Sequence, residues 1–146
     1  MPASSKPHTL EFDLYPTLFN YFDHRDYLIE IEVPIYKNRI DMVAMNSNET
    51  IAVELKLKNW HRALRQATYY QLGADYTYIA MPFYQATELY KRKYHLEKDG
   101  IGLFAILVDK NEVRELVKPE RSQRKINYIE DGIKKLIMDR RADEFE

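Results

Sequence analysis

Two apolar runs, Arg39-Ile40-Asp41-Met42-Val43-Ala44 and Ile51-Ala52-Val53-Glu54-Leu55-Lys56-Leu57, carry charged residues at alternate positions and are joined by the turn-like Asn46-Ser47-Asn48-Glu49. This pattern predicts a β-hairpin. Centring its turn between Ser47 and Asn48 sets Asp41 directly opposite Glu54, and side-chain alternation puts Lys56 on the same face. The other face, Ile40, Met42 and Ala44 against Ile51, Val53, Leu55 and Leu57, is wholly apolar and is expected in a core. Carboxylates opposed across a ladder repel by about a few tenths of a kcal/mol or more. A sheet tolerates that arrangement best when a cation lies between them, so a divalent-metal site with an adjacent lysine is expected.

At 146 residues the chain is long enough for one domain with a proper core. Residues 1–8 read as a loose, polar tail, and 9–146 as a single domain. Cysteine is absent, which excludes disulfides, thiolate zinc sites and thiol catalysis. His8, His24, His61 and His95 are too scattered for a histidine zinc site. No apolar run reaches the roughly 18 residues of a membrane span, and the N-terminus has no signal-peptide core. The expectation is a cytoplasmic protein with no membrane partner. A net charge of −1 does not announce a nucleic-acid binder, but cations cluster in Lys56-Lys58-His61-Arg62-Arg65, Lys91-Arg92-Lys93, Arg121-Arg124-Lys125 and Lys134-Lys135. Each cluster alone reads better as a solvated helix face.

Leu10, Leu14, Leu18 and Phe22 predict a helix over 10–23, with Pro16 either kinking it or marking a regular start near Asp13. Alternation predicts a strand over 27–36, which Pro34 assigns to an edge or strand end. After the hairpin 39–46/50–57 comes a helix from an Asn59 cap through Leu72, stopped at Gly73. Further on, a strand is expected over 75–82, a helix over 85–98 ended by Gly100, and a central strand over 101–108. An edge strand over 112–117 and an amphipathic helix over 123–141, carrying Ile126, Ile129, Ile133 and Ile137, complete the order. The order αβββαβαβ(β)α is mixed α/β: an antiparallel meander, then helix crossovers that require parallel strands.

Magnesium-assisted phosphodiester hydrolysis needs oxygen ligands that leave coordination positions for phosphate and water, and one or two carboxylates suffice. Asp41 and Glu54 can supply them, with the Leu55 backbone carbonyl as a third oxygen. Lys56 can hold the attacking water or stabilise charge developing on phosphate. On the following helix, Arg62, Gln66 and Tyr70 fall at i, i+4 and i+8 along one side. Gln66 can hydrogen-bond a bound water or a phosphate, and Tyr70 can contact a nucleic-acid backbone or base. Lys58, Arg62 and Arg65 add candidate phosphate contacts. The bland alternative is a solvated strand with a local Glu54–Lys56 or Arg39–Asp41 ion pair.

Arg39-Ile40-Asp41, Val53-Glu54-Leu55-Lys56 and Gln66-x-x-x-Tyr70, in that order, resemble the PD-(D/E)XK nuclease superfamily, which has the restriction-endonuclease-like fold. The motif's leading Pro is Ile40 here, at a position that contributes no chemistry. The family's αβββαβ core would span roughly 10–82, with the remaining αβ(β)α as an addition. The resemblance implies Mg²⁺-dependent cleavage of DNA, with Mn²⁺ as a substitute. It implies Asp41 and Glu54 as ligands, Lys56 as catalytic, and Glu11 and Gln66 in support. It also implies a homodimer or a larger nuclease assembly. Glu32 is a further acidic candidate, read here as solvent-facing. Two other functions stay open: a non-cleaving nucleic-acid-binding or assembly module that keeps the fold, and a small interaction protein unrelated to phosphates.

Overall fold

Asn46 fixes the register at the middle of the sheet. Its Oδ1 accepts from the amides of Asn48 (2.8 Å) and Glu49 (2.9 Å), and its own amide donates to the Glu49 carbonyl (3.0 Å). The turn is therefore centred between Ser47 and Asn48, with Met42 opposite Val53, Ala44 opposite Ile51 and Met45 opposite Thr50, as the hairpin reading requires. This computed structural model describes residues 10–143; the expected tail over 1–8 lies outside the described residues.

A 3₁₀ turn (Glu11–Leu14) leads into α1 (Tyr15–Asp23), whose first turn accommodates Pro16, so the 10–23 segment changes helix type where the proline enters. Then come β1 (Leu28–Ile35), β2 (Asn38–Met45), β3 (Thr50–Leu55), α2 (Trp60–Tyr70) and β4 (Tyr76–Pro82). They are followed by α3 (Phe83–Tyr90), α4 (Tyr94–Asp99), β5 (Gly102–Leu107), a 3₁₀ turn (Val108–Lys110), β6 (Glu112–Val117) and α5 (Asn127–Asp143). The six strands lie side by side in sequence order. The β1/β2, β2/β3 and β5/β6 pairs are antiparallel, while β3/β4 and β4/β5 are parallel. The protein is thus an α/β fold with a six-stranded mixed sheet and flanking helices, as expected, and β1 with its Pro34 is an edge.

Alternation sorts the core into two layers. Ile51, Val53 and Leu55 pack with Met42, Ala44, Phe104 and the α1 residues Leu14, Leu18 and Phe22. The opposite face of the sheet meets α2, α3 and α4 through Ala63, Ala67, Ala86 and Leu96, and meets α5 through Ile133 and Ile137. Ile40 departs from expectation, because it joins Val33, Ile35, Tyr70 and Ile137 rather than Met42 and Ala44. The cause is local. The β1/β2 ladder passes from Ile31↔Met42 to Val33↔Ile40, leaving Glu32 and Asp41 out, and Glu32 has a left-handed φ of 53°. The two strands exchange faces at that step, and Asp41 sits on it.

Three helix boundaries also differ. α2 ends at Tyr70, and residues 71–73 form a turn; a Cβ on Gly73 would lie 2.6 Å from Ile133 Cδ1, so this glycine serves the close approach of α5. The 85–98 helix is two helices. Around the cationic run Lys91-Arg92-Lys93 the bonding shifts to i→i−3, with the Arg92 amide on Leu89 O and that of Lys93 on Tyr90 O. Gly100 ends α4 with φ 73°, the left-handed stop expected of it.

The last helix starts at Asn127, not 123, because buried Asp75 ties the preceding loop. Asp75 Oδ1 meets Lys125 Nζ (2.5 Å) and Arg121 Nη1 (3.0 Å), and its carbonyl accepts from the Ser122 amide (2.7 Å). Ile126 is consequently half exposed, outside the helix. At the far end of α5, Arg140 donates to the carbonyls of Ile31 (3.0 Å) and Glu32 (3.3 Å), and Arg141 to that of Ile29 (3.3 Å). Among the described residues no helix is long and apolar enough to cross a membrane.

Candidate functional site

Where β2 leaves regular pairing, the Asp41 side chain takes over a ladder bond: its Oδ2 accepts from the Leu55 amide at 2.8 Å. Glu54 is the last residue but one of β3, and it points to the α2 side of the sheet. β3 is flanked by β2 and β4, so Glu54 is buried, with 2% of its surface exposed. Its Oε1 accepts from the Tyr70 hydroxyl (2.6 Å), and its Oε2 lies 3.6 Å from Lys56 Nζ. The Lys56 amide donates to Ala80 O (3.0 Å), which fixes the lysine beyond the end of the strand.

Asp41, Glu54 and Lys56 are therefore brought together as the hairpin register requires. Arg39 pairs with the exposed Glu32 (3.7 Å), not with Asp41, and among the described residues Asp41 has no ion-pair partner.

Burial dominates the electrostatics. It pushes the Glu54 carboxyl up to about 8, helped by the neighbouring Asp41 charge and opposed by Tyr70 and Lys56. Burial also raises Asp41, against the Leu55 hydrogen bond that favours its charged form, and the charges of Glu11 and Glu32 raise it further. A buried carboxyl beside a half-buried one, with one lysine, leaves the site short of positive charge. A proton or a cation makes up the difference.

Helix α2 supplies the second wall. Asn59 starts it from a left-handed conformation (φ 62°) that asparagine tolerates, and its Oδ1 accepts from the Arg62 amide (3.4 Å). Gln66 lies one turn before Tyr70, on the same side of the helix. Its Oε1 is buried and has no hydrogen-bond partner among the described residues. An orphaned buried acceptor ordinarily costs about 1–3 kcal/mol, and a water or hydrated ion beside the carboxylates would remove that cost.

Arg62, Arg65 and Lys58 are exposed around the start of α2. Tyr70 is different. It is 1% exposed, and its hydroxyl bridges Glu54 and the Arg39 carbonyl (2.8 Å). The expectation that Tyr70 touches nucleic acid is corrected: it holds a carboxylate from behind.

Glu11 is exposed on the 3₁₀ turn ahead of α1, and its charge reaches Asp41 without direct contact. Tyr15, which the sequence reading missed, donates its hydroxyl to the Asp41 carbonyl (3.2 Å). No periodicity marks it, because the Leu10-Leu14-Leu18-Phe22 stripe accounts for that helix without it.

The donor set suits a hard cation. Among the described residues no three His, Cys, Asp or Glu side chains gather as a metal cluster, so a site closed by protein ligands alone is not built. Two carboxylates and a nearby backbone carbonyl match an ion that keeps several of its waters, and the orphaned Gln66 oxygen can accept a hydrogen bond from one of those waters.

The raised Glu54 carboxyl sets a pH dependence. Its proton is held more tightly in the folded chain than in the unfolded one, so its stabilising contribution is complete below about 4.5 and is lost as pH rises through about 8. The melting temperature of the metal-free protein, taken as the difference between wild type and Glu54→Gln, should fall over that window. Tyr70→Phe removes a bond that lowers the Glu54 value, so it should move the midpoint upward and cost about 1 kcal/mol of stability. Melting curves from pH 4 to 9 check both; an unmoved midpoint would count against the bridging role of Tyr70.

No protein-family model matches the chain, and no curated protein matches its sequence. Among solved structures it is similar to SPO1766, a protein of unknown function from Silicibacter pomeroyi. The TM-score is 0.73 at 12% identity, over 95% of this chain and 90% of that one. At that identity the likeness concerns the fold alone.

Proposed function

We propose that the protein is a Mg²⁺-dependent nuclease of the PD-(D/E)XK type that hydrolyses DNA phosphodiester bonds. The observation that carries this reading is the convergence of two proton-hungry carboxyls, buried Glu54 and half-buried Asp41, with Lys56, beside a helix on which the Gln66 Oε1 has no partner among the described residues. The αβββαβ order that holds them supports it.

Asp41 and Glu54 would hold the ion with the Leu55 carbonyl, and Mn²⁺ fits the same oxygen donors. When bound, the metal supplies Lewis acidity toward phosphate oxygen and acidifies a water. Lys56 orients the attacking water and neutralises charge growing on the phosphate. The water oxygen becomes bonded to phosphorus, one P–O ester bond breaks, and the departing alkoxide takes up the proton that the water releases. Gln66 steadies the water from α2, and Glu11 adds negative potential at the rim. Arg62, Arg65 and Lys58 would contact backbone phosphates.

Incubating plasmid, linear and branched DNA with the protein and Mg²⁺ or Mn²⁺ tests the reading. A non-cleaving binding or assembly module is the second reading, favoured by the net charge of −1; binding without cleavage in every arm would select it.

Within the cleft, Gln66→Ala should slow turnover less than Lys56→Ala does, because it ligates no metal directly. Arg62→Ala should leave turnover nearly intact while reducing the salt slope of DNA affinity by about 1, the signature of one lost phosphate contact. Single-turnover rates and affinities at several salt concentrations check these outcomes. If neither variant changes either quantity, α2 does not line the cleft.

A further inference from the structure

The parallel strands β3, β4 and β5 all end at one side of the sheet, and a cavity of about 580 Å³ opens beyond their C-terminal ends. Leu57 and Lys58 line it directly after Lys56, facing Pro82-Phe83-Tyr84 from the β4–α3 junction and Ile106 to Lys110 after β5. Glu54 pairs with Ile79, so Pro82 lies three residues further along the strands, roughly 10 Å at 3.3 Å per residue.

Three properties of the cavity go together. Its aromatic rings are exposed, Phe83 by 38% and Tyr84 by 72%, whereas a ring serving the core would be covered. The Arg114 guanidinium, outside the lining and paired with Glu112 (2.7 Å), stands over the Phe83 ring, 5.7 Å from its centroid, so Tyr84 is the more open of the two rings. Lys58 and Lys110 supply positive charge at the same lining. Exposed rings among cations form a stacking surface for a base whose phosphates run past lysines.

We propose that this cavity takes an unpaired nucleotide of a DNA strand whose scissile phosphate lies at Asp41, Glu54 and Lys56. The inference rests on the nuclease reading for its geometry and adds a substrate class: strands with single-stranded character, such as flaps or overhangs. At the duplex rise of 3.4 Å per nucleotide, roughly 10 Å is at most about three nucleotides from the cut, and an unstacked strand covers it with fewer. A base in a continuous duplex keeps its faces stacked on its neighbours, so only an unpaired one can lie on Tyr84.

Tyr84→Ala removes an exposed ring without touching the core or the carboxylates. In metal-free buffer, its affinity for a single-stranded oligonucleotide should drop roughly tenfold, within the range for losing one base–aromatic stack, while affinity for blunt duplex stays unchanged. A 2-aminopurine placed along the strand should be quenched by wild type and not by Tyr84→Ala. With Mg²⁺, cleavage of a flapped substrate should exceed that of blunt duplex for wild type, and Tyr84→Ala should remove the preference.

If no substrate is cleaved but Tyr84-dependent single-strand binding is present, the nuclease reading fails and the nucleotide pocket stands. Lys56-dependent cleavage with equal affinities for wild type and Tyr84→Ala would overturn the pocket and leave the nuclease. Absence of single-strand binding by wild type would overturn it as well.

Discussion

Glu54→Gln and Asp41→Asn should each reduce Mg²⁺-dependent DNA cleavage by at least about 10³-fold, the upper scale for removing one preorganised electrostatic group. The fold should be retained. Gln keeps an acceptor for the Tyr70 hydroxyl, and Asn keeps one for the Leu55 amide. What disappears is a buried negative charge beside another. Near pH 8, therefore, the metal-free variants should melt at the wild-type temperature or above it, while the melting shift produced by Mg²⁺ should vanish.

The structure makes the choice of substitution matter. Asp41→Ala strands the Leu55 amide inside the sheet, at a cost of about 1–3 kcal/mol, so its melting temperature would mix two opposing effects. Cleavage rates together with calorimetric melts in EDTA and in Mg²⁺ decide the matter. Variants that melt lower in EDTA yet keep the Mg²⁺ shift would make these carboxylates structural.

Lys56→Ala should separate binding from turnover. Its ammonium lies 3.6 Å from Glu54 and is partly exposed, so its loss leaves both carboxylates in place. The Mg²⁺-induced melting shift should persist, because removing a neighbouring cation does not remove a ligand. Turnover should fall by about 10²-fold or more. Isothermal titration with Mg²⁺ beside single-turnover cleavage gives the comparison. Wild-type turnover would refute a catalytic lysine, and loss of Mg²⁺ binding would make Lys56 a scaffold for Glu54.

Much of this was legible because it is written in period two and in turns. The Asn46–Glu49 turn sets the hairpin register, and the register alone determines that Asp41, Glu54 and Lys56 meet. Parallel pairing of β3 to β5 followed from the helices between them.

What stayed hidden depends on contacts distant in the chain. Nothing near Ile40 announces that the strands exchange faces, because the cause is a left-handed Glu32 on the neighbouring strand. Tyr70 looks like a surface residue beside Arg62 until the Arg39 carbonyl, 31 residues away, is seen to bury it. The start of α5 was misplaced because Asp75 holds Arg121 and Lys125 in a loop whose own composition could continue a helix. The cavity beyond β3 to β5 is assembled from three separate segments, none of which carries a pattern of its own.

The arginine pair at the end of α5 has a bearing on how copies of this chain can meet. An edge strand with open carbonyls is a template for any other extended chain. On β1 the carbonyls of Ile29, Ile31 and Glu32 are already engaged by the guanidinium groups of Arg140 and Arg141. A second copy adding a strand there would have to displace both arginines first. Sheet-to-sheet growth through β1 is therefore closed by the chain's own last helix, and side-by-side joining through that edge is disfavoured even when the protein is concentrated.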